Sequence, residues 1–412
     1  MTPELDFRRE SARMLAALAR VLGLHNLALA EDVVQDVLCR ALQAWKYAGP
    51  PRDASAWLVR AAQNRAIDLI RRERTRREFA PDLELRSEYA LAPTVSALFR
   101  ENEIEDDLLR MMFSVCAPNL PEPAQLALVL KLLCGFGKRE IAAALLSSEA
   151  AVEKLLARGT QTLAKPGGLY EVAGREQIGR RLEAVQHALY LLFSEGYHGS
   201  ARPVQAGLCA EALRLCGLLA QHPACATPRT LALLSLMCFH AARLAGRAAE
   251  DGSLVLLEEQ DRSRWDGALI RRGFELLDRS ASGEELSEYH LEAAIASCHC
   301  AAPSVERTDW ARIVELYDLL LRLRPSPVVA LNRAIAIGEA RGAGEGLAAL
   351  DALRQEPKLA ASPFHPAAEG RLFLKRGRAG EAARSFAEAS RRARNPAEAK
   401  LFASLRDKAR GG

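Results

Sequence analysis

The stretch DASAWLVRAAQNRAIDLIRRERTRRE, residues 53–78, decides how the chain is read. Trp57, Leu58, Ala61, Ala62, Ile67 and Ile70 recur at helical spacing, and either Asp53 or Ser55 can cap the start of the helix. Seven arginines, Arg60, Arg65, Arg71, Arg72, Arg74, Arg76 and Arg77, crowd the same stretch, with Asp68, Glu73 and Glu78 as the nearby acids. Guanidinium forks grip phosphate oxygens and release condensed counterions, so a helix ending in such a cluster suits a nucleic-acid backbone. A solvated surface face has the same look, and the stretch taken alone leaves both readings open.

Upstream, LALAEDVVQDVL (27–38) interleaves Glu31, Asp32 and Asp36 with Val33, Val34, Val37 and Leu38. Asp32 and Asp36 stand four residues apart and share a helix face. An acidic face backed by an apolar stripe can dock a basic protein partner, although an ordinary amphipathic helix reads alike. Before it, Ala12, Leu15, Leu18, Ala19 and Leu22 give another helical period.

Downstream, residues 81–100 contain Pro81 and Pro93 without a strong period and read as a linker. Ala124–Cys134 is apolar and is broken by Gly135-Phe136-Gly137. Lys138–Leu146 follows as a short helix with Ile141, Ala142, Leu145 and Leu146 inward. Ser147-Ser148-Glu149 makes a capped turn, and Ala150–Leu163 makes a longer helix on Val152, Leu155, Leu156 and Leu163. That is the pattern of a helix-turn-helix, whose second helix enters the major groove by its N-terminal part. Two packed helices without a DNA role fit it as well. Lys165-Pro166-Gly167-Gly168 is a strong stop.

Composition sets the class. The chain has 412 residues, 49% of them hydrophobic and 6% aromatic, with Ala and Leu dominant and no clean alternation of β-branched residues. Helices are expected over sheets. The net charge of +4 makes no general electrostatic glove for nucleic acid, so the placement of charge matters more. No apolar run reaches the ~18–20 residues that span a bilayer, and Met1-Thr2-Pro3-Glu4-Leu5-Asp6 lacks a signal pattern. A soluble, cytoplasmic protein without membrane contact is the expectation. Nine cysteines lie in apolar helical stretches. Cys298-His299-Cys300, with Cys238 and His240, lacks the separated ligand pairs of a structural metal site, so neither metal nor cofactor is expected. Near the end, Ala334, Gly346 and Ala348 recur 34 residues later as Ala368, Gly380 and Ala382, with Phe386 and Ala389 following. The period is that of a tetratricopeptide repeat, although chance in an Ala-rich sequence also produces such matches.

The order of parts carries more than any part. Ala-Glu-Asp-x-x-Gln-Asp (30–36), a Trp-Leu helix, Asn64, Asp68 and an arginine run resemble region 2 of the extracytoplasmic-function sigma factors. The resemblance implies that Glu31, Asp32, Gln35 and Asp36 grip the clamp helices of the largest subunit of bacterial RNA polymerase. It implies −10 promoter contacts for Trp57, Arg60, Asn64, Arg65, Asp68, Arg71 and Arg72, with the loop Tyr47–Arg52 capturing a flipped base. Residues 101–166 resemble region 4 of the same family, which reads the −35 element and touches the polymerase flap. Its implied contacts are Lys138, Arg139, Ser148, Glu149, Ala151, Lys154 and Arg158. One departure stands out: Gly159-Thr160-Gln161-Thr162 replaces the basic run that usually ends this helix, and Leu155 takes the place of an arginine. Gly159 weakens the helix by up to ~1 kcal/mol relative to Ala.

The remainder resembles the subgroup of these factors with a long tetratricopeptide-like extension. The likeness rests on Tyr190–Tyr197, Leu208–Ala212, Leu256–Asp266, Tyr289–Ala296, Thr308-Asp309-Trp310 and Pro325–Ala334. The charged run Glu258–Asp266 reads as helix-locking salt bridges, as the lining of a partner groove or as catalytic groups, and no nucleophile, base and orienter can be ordered from it. The whole is therefore expected to be all-α and not an enzyme. It has region 2 at 1–80, a linker at 81–100, region 4 as a helix-turn-helix at 101–166, and a helical repeat domain at 170–412. That last domain is expected to pack on the sigma regions and regulate them. The competing reading is a helix-turn-helix regulator with a repeat sensor domain acting apart from polymerase. It leaves the Ala-Glu-Asp-x-x-Gln-Asp helix without a purpose.

Overall fold

The computed structural model describes residues 7–79, 106–145, 147–164, 175–198, 204–247, 249 and 253–411, and their regular structure is helical, as the composition implies. The linker expected at 81–100 and the stop at 165–168 lie outside the described residues. Contacts divide the chain into two units, Met1–Leu189 and Tyr190–Gly412.

The first unit is organised by helix α1 (Phe7–Leu22). Every residue from Met14 to Ala19 is buried, on all sides of the helix axis. A helix apolar all round has to be surrounded. Its neighbours are α2 (Leu27–Ala48), α3 (Ala54–Phe79), α4 (Asp107–Val115) and α5 (Glu122–Cys134). Ala12, Ala16, Ala17 and Ala19 keep the helix thin enough for four neighbours to reach it.

The corner between α2 and α3 is set locally. Gly49 ends α2 with φ 70°, a left-handed conformation that L side chains resist. Asp53 then caps α3, its Oδ1 accepting the Ala56 N–H at 2.9 Å. Ser55, the other candidate cap, faces α1. Its hydroxyl donates to Glu10 Oε2 at 2.5 Å and accepts from Arg13 Nη1 at 3.1 Å. The buried stripe of α3 runs through Leu58, Ala62 and Ala66, whereas Ile67, expected inward, is 41% exposed. It lies about 100° round the helix from Ala66, off the face that α1 and α2 cover.

After α5, helices α6 (Lys138–Ala144) and α7 (Glu149–Leu163) complete the compact set. Gly135 closes α5 in the left-handed region, and Ser148 caps α7 through the Ala151 N–H at 3.2 Å. Ile141, Ala142, Val152 and Leu163 are buried, while Leu145, Leu155 and Leu156 are half-buried. Gly159 is buried, and a Cβ there would stand 2.7 Å from Leu128 Cδ1. The glycine that looks like a weak point in α7 is what seats α7 on α5. Helix α8 (Arg175–His198) carries residues of both units. Its buried Arg181 donates from Nη1 to the Phe113 carbonyl at 3.0 Å, and burial lowers the Arg181 pKa.

The second unit continues with α9 (Ala206–Gln221), α10 (Pro228–Ala242), α11 (Leu244–Arg247), α12 (Gly267–Ser280), α13 (Glu288–Ala301) and α14 (Trp310–Leu323). Helix α10 is buried without a break from Thr230 to Phe239, with α9, α12 and α13 against it. Then come α15 (Pro327–Ala340), α16 (Ala343–Asp351), α17 (Phe364–Lys375), α18 (Ala379–Arg391) and α19 (Pro396–Gly411), each packed on the next along the chain.

The 34-residue match holds at its first pair, Ala334 and Ala368, which are both buried, and is lost at the next two. Gly346 is buried and Gly380 exposed, and Ala348 is exposed where Ala382 is buried. The buried small residues of α16 and α18 thus stand two positions out of that register. At Gly346 a Cβ would come within 2.7 Å of Gly338 Cα, so two backbones touch there. Alanine at position 346 gains up to ~1 kcal/mol in helix propensity. It loses about 1–3 kcal/mol by forcing backbones apart, since neither glycine has a side chain to move. Gly346→Ala is expected to lower the stability of the chain in urea denaturation, and a rise in stability would contradict this account of the crossing.

Candidate nucleic-acid interface

Helix α3 turns its polar side to solvent. Arg60, Asn64, Asp68, Arg71 and Arg72 are all exposed and share one side, opposite Leu58, Ala62 and Ala66. Arg60 Nε donates to the Ala56 carbonyl at 3.3 Å, which draws its guanidinium back along the helix. The side chains of Arg74, Arg76 and Arg77 lie outside the described residues.

An aromatic group stands where this face meets the α2–α3 corner. Trp57 is half-buried against Trp45, with ring centroids 5.4 Å apart and planes at 59°. Tyr47 is 87% exposed, and Lys46 Nζ lies 5.4 Å from its ring centroid. Residues 49–52 around it are exposed as well. An aromatic ring left in solvent beside a lysine ammonium can serve as a stacking platform for an unstacked base. Trp45 went unnoticed in the sequence, where the signal was two tryptophans flanking the Gly49-Pro50-Pro51 turn.

The acidic face of α2 divides. Asp32 and Gln35 are exposed, and Glu31 Oε1 lies 3.9 Å from Lys131 Nζ on α5. Asp36 accepts from Arg65 Nε of α3 at 2.9 Å and also meets Arg40 at 3.1 Å. The resemblance gave Asp36 to polymerase and Arg65 to DNA; the structure brings the two together as a clasp between α2 and α3.

The outer face of α6 and α7 divides in a similar way. Lys138 pairs with Glu153, and that hydrogen bond, followed by the charge itself, holds the Glu153 carboxyl below its ordinary value. Glu140 is tied to Arg8 Nη1 at 2.8 Å and accepts the Gly137 N–H at 2.9 Å. Ser148 is the cap, the Ala151 N–H is its donor, and Glu149 stands exposed in the first turn. Arg139, Lys154 and Arg158 face solvent, the last two one turn apart.

A sigma-70 region 2 family model matches residues 7–76, the span of α1 to α3. A family of unknown function, DUF6596, matches residues 181–281. Uncharacterized protein R00370 of Rhizobium meliloti (strain 1021) is 37% identical over 403 residues, which cover 96% of this chain and 93% of that protein. The chain belongs to the family of that protein. Its N-terminal part is a sigma-70 region 2, followed by a DUF6596 domain. No solved structure matches the chain. Among the described residues, no helix is long and apolar enough to cross a membrane.

Within region 2, the Asp36–Arg65 clasp joins a side chain about a quarter exposed to one about a third exposed. Solvent screening holds such pairs to about 0–1 kcal/mol. A double-mutant cycle of Asp36→Ala and Arg65→Ala, read by chemical denaturation, is expected to give a coupling inside that range. Coupling of several kcal/mol would mark the pair as a structural linchpin instead.

Proposed function

We propose that the chain is a sigma factor, which joins bacterial RNA polymerase core and directs it to promoters without catalysing a reaction of its own. The observation that carries this is the presence, within a sigma-70 region 2, of an exposed Tyr47 ring near the end of α2 and an exposed polar face on α3 made by Arg60, Asn64, Asp68, Arg71 and Arg72. In this reading the arginines hold the backbone of the −10 element, and Tyr47 stacks on a base leaving the duplex. Asp32 and Gln35 present the acidic surface to the clamp helices of polymerase, with Glu31 beside them. Arg65 and Asp36 act indirectly, by setting the angle of α3 on α2.

Helices α6 and α7 serve as the helix-turn-helix that reads the −35 element. Arg139, Lys154 and Arg158 make the phosphate contacts, while Lys138 is held back by Glu153. Few outward cations mean few released counterions and a shallow salt dependence. The helical array of 170–412 is the regulatory part, and its series of packed helix pairs supports a repeat-like scaffold.

Tyr47→Ala is expected to leave core association intact and to lower open-complex formation about tenfold, in line with ~1–3 kcal/mol for one base stacked on an aromatic ring. Permanganate footprinting on a promoter found by run-off transcription reads this out. If the purified chain neither associates with core polymerase nor opens any promoter, the reading fails. Lys154→Ala combined with Arg158→Ala is expected to flatten the slope of log affinity against log salt for the promoter complex by about 1.8, two contacts at 0.9 each. An unchanged slope would take α7 off the DNA.

A further inference from the structure

The second unit holds three arginines, Arg243, Arg247 and Arg262, that pack on aromatic rings and have no acid partner among the described residues. Arg243, which closes α10, is 7% exposed, and its Nε has no hydrogen-bond partner. Its guanidinium carbon lies 5.2 Å from the centroid of Trp265, and that of Arg262 lies 4.6 Å from the same ring. Arg262 donates from Nη1 to the carbonyls of His299 at 2.6 Å and Ala302 at 2.7 Å, while its Nη2 is buried without a partner. Arg247, on α11, lies 3.8 Å over the ring of Tyr197, and its Nε is likewise buried and unpartnered. The indole Nε1 of Trp265, itself 7% exposed, adds a fourth unused donor.

Glu250 and Asp251 lie outside the described residues, and the described acids nearby in sequence are committed elsewhere. Glu258 pairs with Arg371, and Glu259 with Lys408 at 3.0 Å. Asp261 caps the turn at Ser263, and Asp266 caps α12 through Ala268 and Leu269. Glu306 acts on Arg262 from a distance, but it is fully exposed and bonded to Ser304. The neighbouring histidines do not help. Burial first, then Arg243 and Arg262, pushes His299 down to about 4, and His240 is also lowered, so both rings are neutral near pH 7. Among the described residues none of the three guanidinium groups is paired with a carboxylate, and Arg243 is shut off from water as well. Stacking on Trp265 and Tyr197 offsets part of that cost. A buried charge such as that of Arg243, without a counter-ion, remains strongly unfavourable, and Arg262 beside it adds repulsion.

An anion resolves this arrangement, and its charge can be argued. A carboxylate brings one negative charge and leaves two positive charges unanswered. A phosphate monoester brings nearly two, with three acceptor oxygens, and guanidinium forks fit those oxygens in pairs. We propose that Arg243, Arg247 and Arg262, with the indole N–H of Trp265, form a binding site for a phosphate group. The phosphate is either free or carried by a small phosphorylated molecule. Arg247 and Arg262 are only half-buried, so the ligand enters from their side. Arg243, Arg247, Arg262 and Trp265 all fall within the stretch matched by the family of unknown function, and the site gives that domain a ligand class.

Isothermal titration of the full-length chain with inorganic phosphate, glycerol phosphate and acetate tests this. Neither polymerase nor promoter enters the assay, so its outcome is separate from that of the sigma-factor reading. Saturable phosphate binding is expected, at least tenfold tighter than acetate and weakened by salt. Tighter binding of glycerol phosphate than of inorganic phosphate identifies a phosphorylated small molecule as the ligand, and the reverse identifies free phosphate. Arg243→Gln is expected to weaken binding at least tenfold. Should that variant not fold by circular dichroism, Arg247→Gln, whose side chain keeps a solvent face, decides in its place with the same expected loss. The absence of saturable phosphate binding, equal binding of acetate, or wild-type affinity in a folded variant overturns the proposal.

Discussion

Helix α1 has no solvent face between Met14 and Ala19, and the first unit follows from that constraint. Four helices have to close around it, two from the region 2 match and two from the segment after residue 105. Removing one fully buried leucine from such a position, Leu18 for instance, forfeits about 2–5 kcal/mol, a large fraction of a domain's net stability. With α1 enclosed, the angles of α2 and α3 are fixed by small devices: the left-handed Gly49, the Asp53 cap, the Ser55–Glu10 hydrogen bond and the Asp36–Arg65 clasp. Those devices bring Tyr47 and Trp57 to the same corner and leave the arginine face of α3 outward. The candidate interface is thus a consequence of how a core helix is wrapped.

Much of this was legible in the sequence, because it depends on local periodicity and caps. The stripe of α3, the Asp53 start, the Gly135 break and the Ser148 cap are all written within a few residues of where they act. What could not be read are relations between distant positions. Gly159 looks like a defect in α7 until Leu128 is seen against it. Asp36 and Arg65 read as members of two different interfaces, and only the packing of α2 on α3 shows that each satisfies the other. Ile67 fits a helical period on paper and points outward in space. The repeat-like pairing of Gly346 with Gly380 fails for the same reason: contact is set by which residue meets the neighbouring helix, and a fixed spacing does not ensure it.

Small residues have a matching role in the second unit. Gly273 lets the ring of Phe239 lie against α12, Gly370 does so for Phe386, and Gly338 with Gly346 lets two helices meet backbone to backbone. In each case a helix gives up as much as ~1 kcal/mol of propensity for a close approach that a Cβ would forbid. A chain rich in alanine and leucine can form many helices that pack indifferently. These glycines select which faces meet, and so where the intervening polar groups end up.

The placement of charge separates the two units more sharply than composition does. A net charge of +4 over 412 residues says little. In the first unit the cations that matter are turned outward, and several are partly answered by acids on neighbouring helices: Lys138 by Glu153, Arg65 by Asp36, Lys131 by Glu31. In the proposed function such a surface exchanges weak internal pairs for contacts with phosphate, a change that water makes cheap. In the second unit Arg243 is turned inward, and its half-buried companions Arg247 and Arg262 lie over aromatic rings, where water screens them less than on an open surface. The residues that gather there, Tyr197, Arg243, Arg247, Arg262, Trp265 and His299, are scattered over more than a hundred positions, which is why no motif announces them. Stacking and the two carbonyl bonds of Arg262 offset only part of the cost of placing Arg243 inside without an acid. A fold that keeps such a group has a use for it, and the use that electrostatics allows is the capture of negative charge.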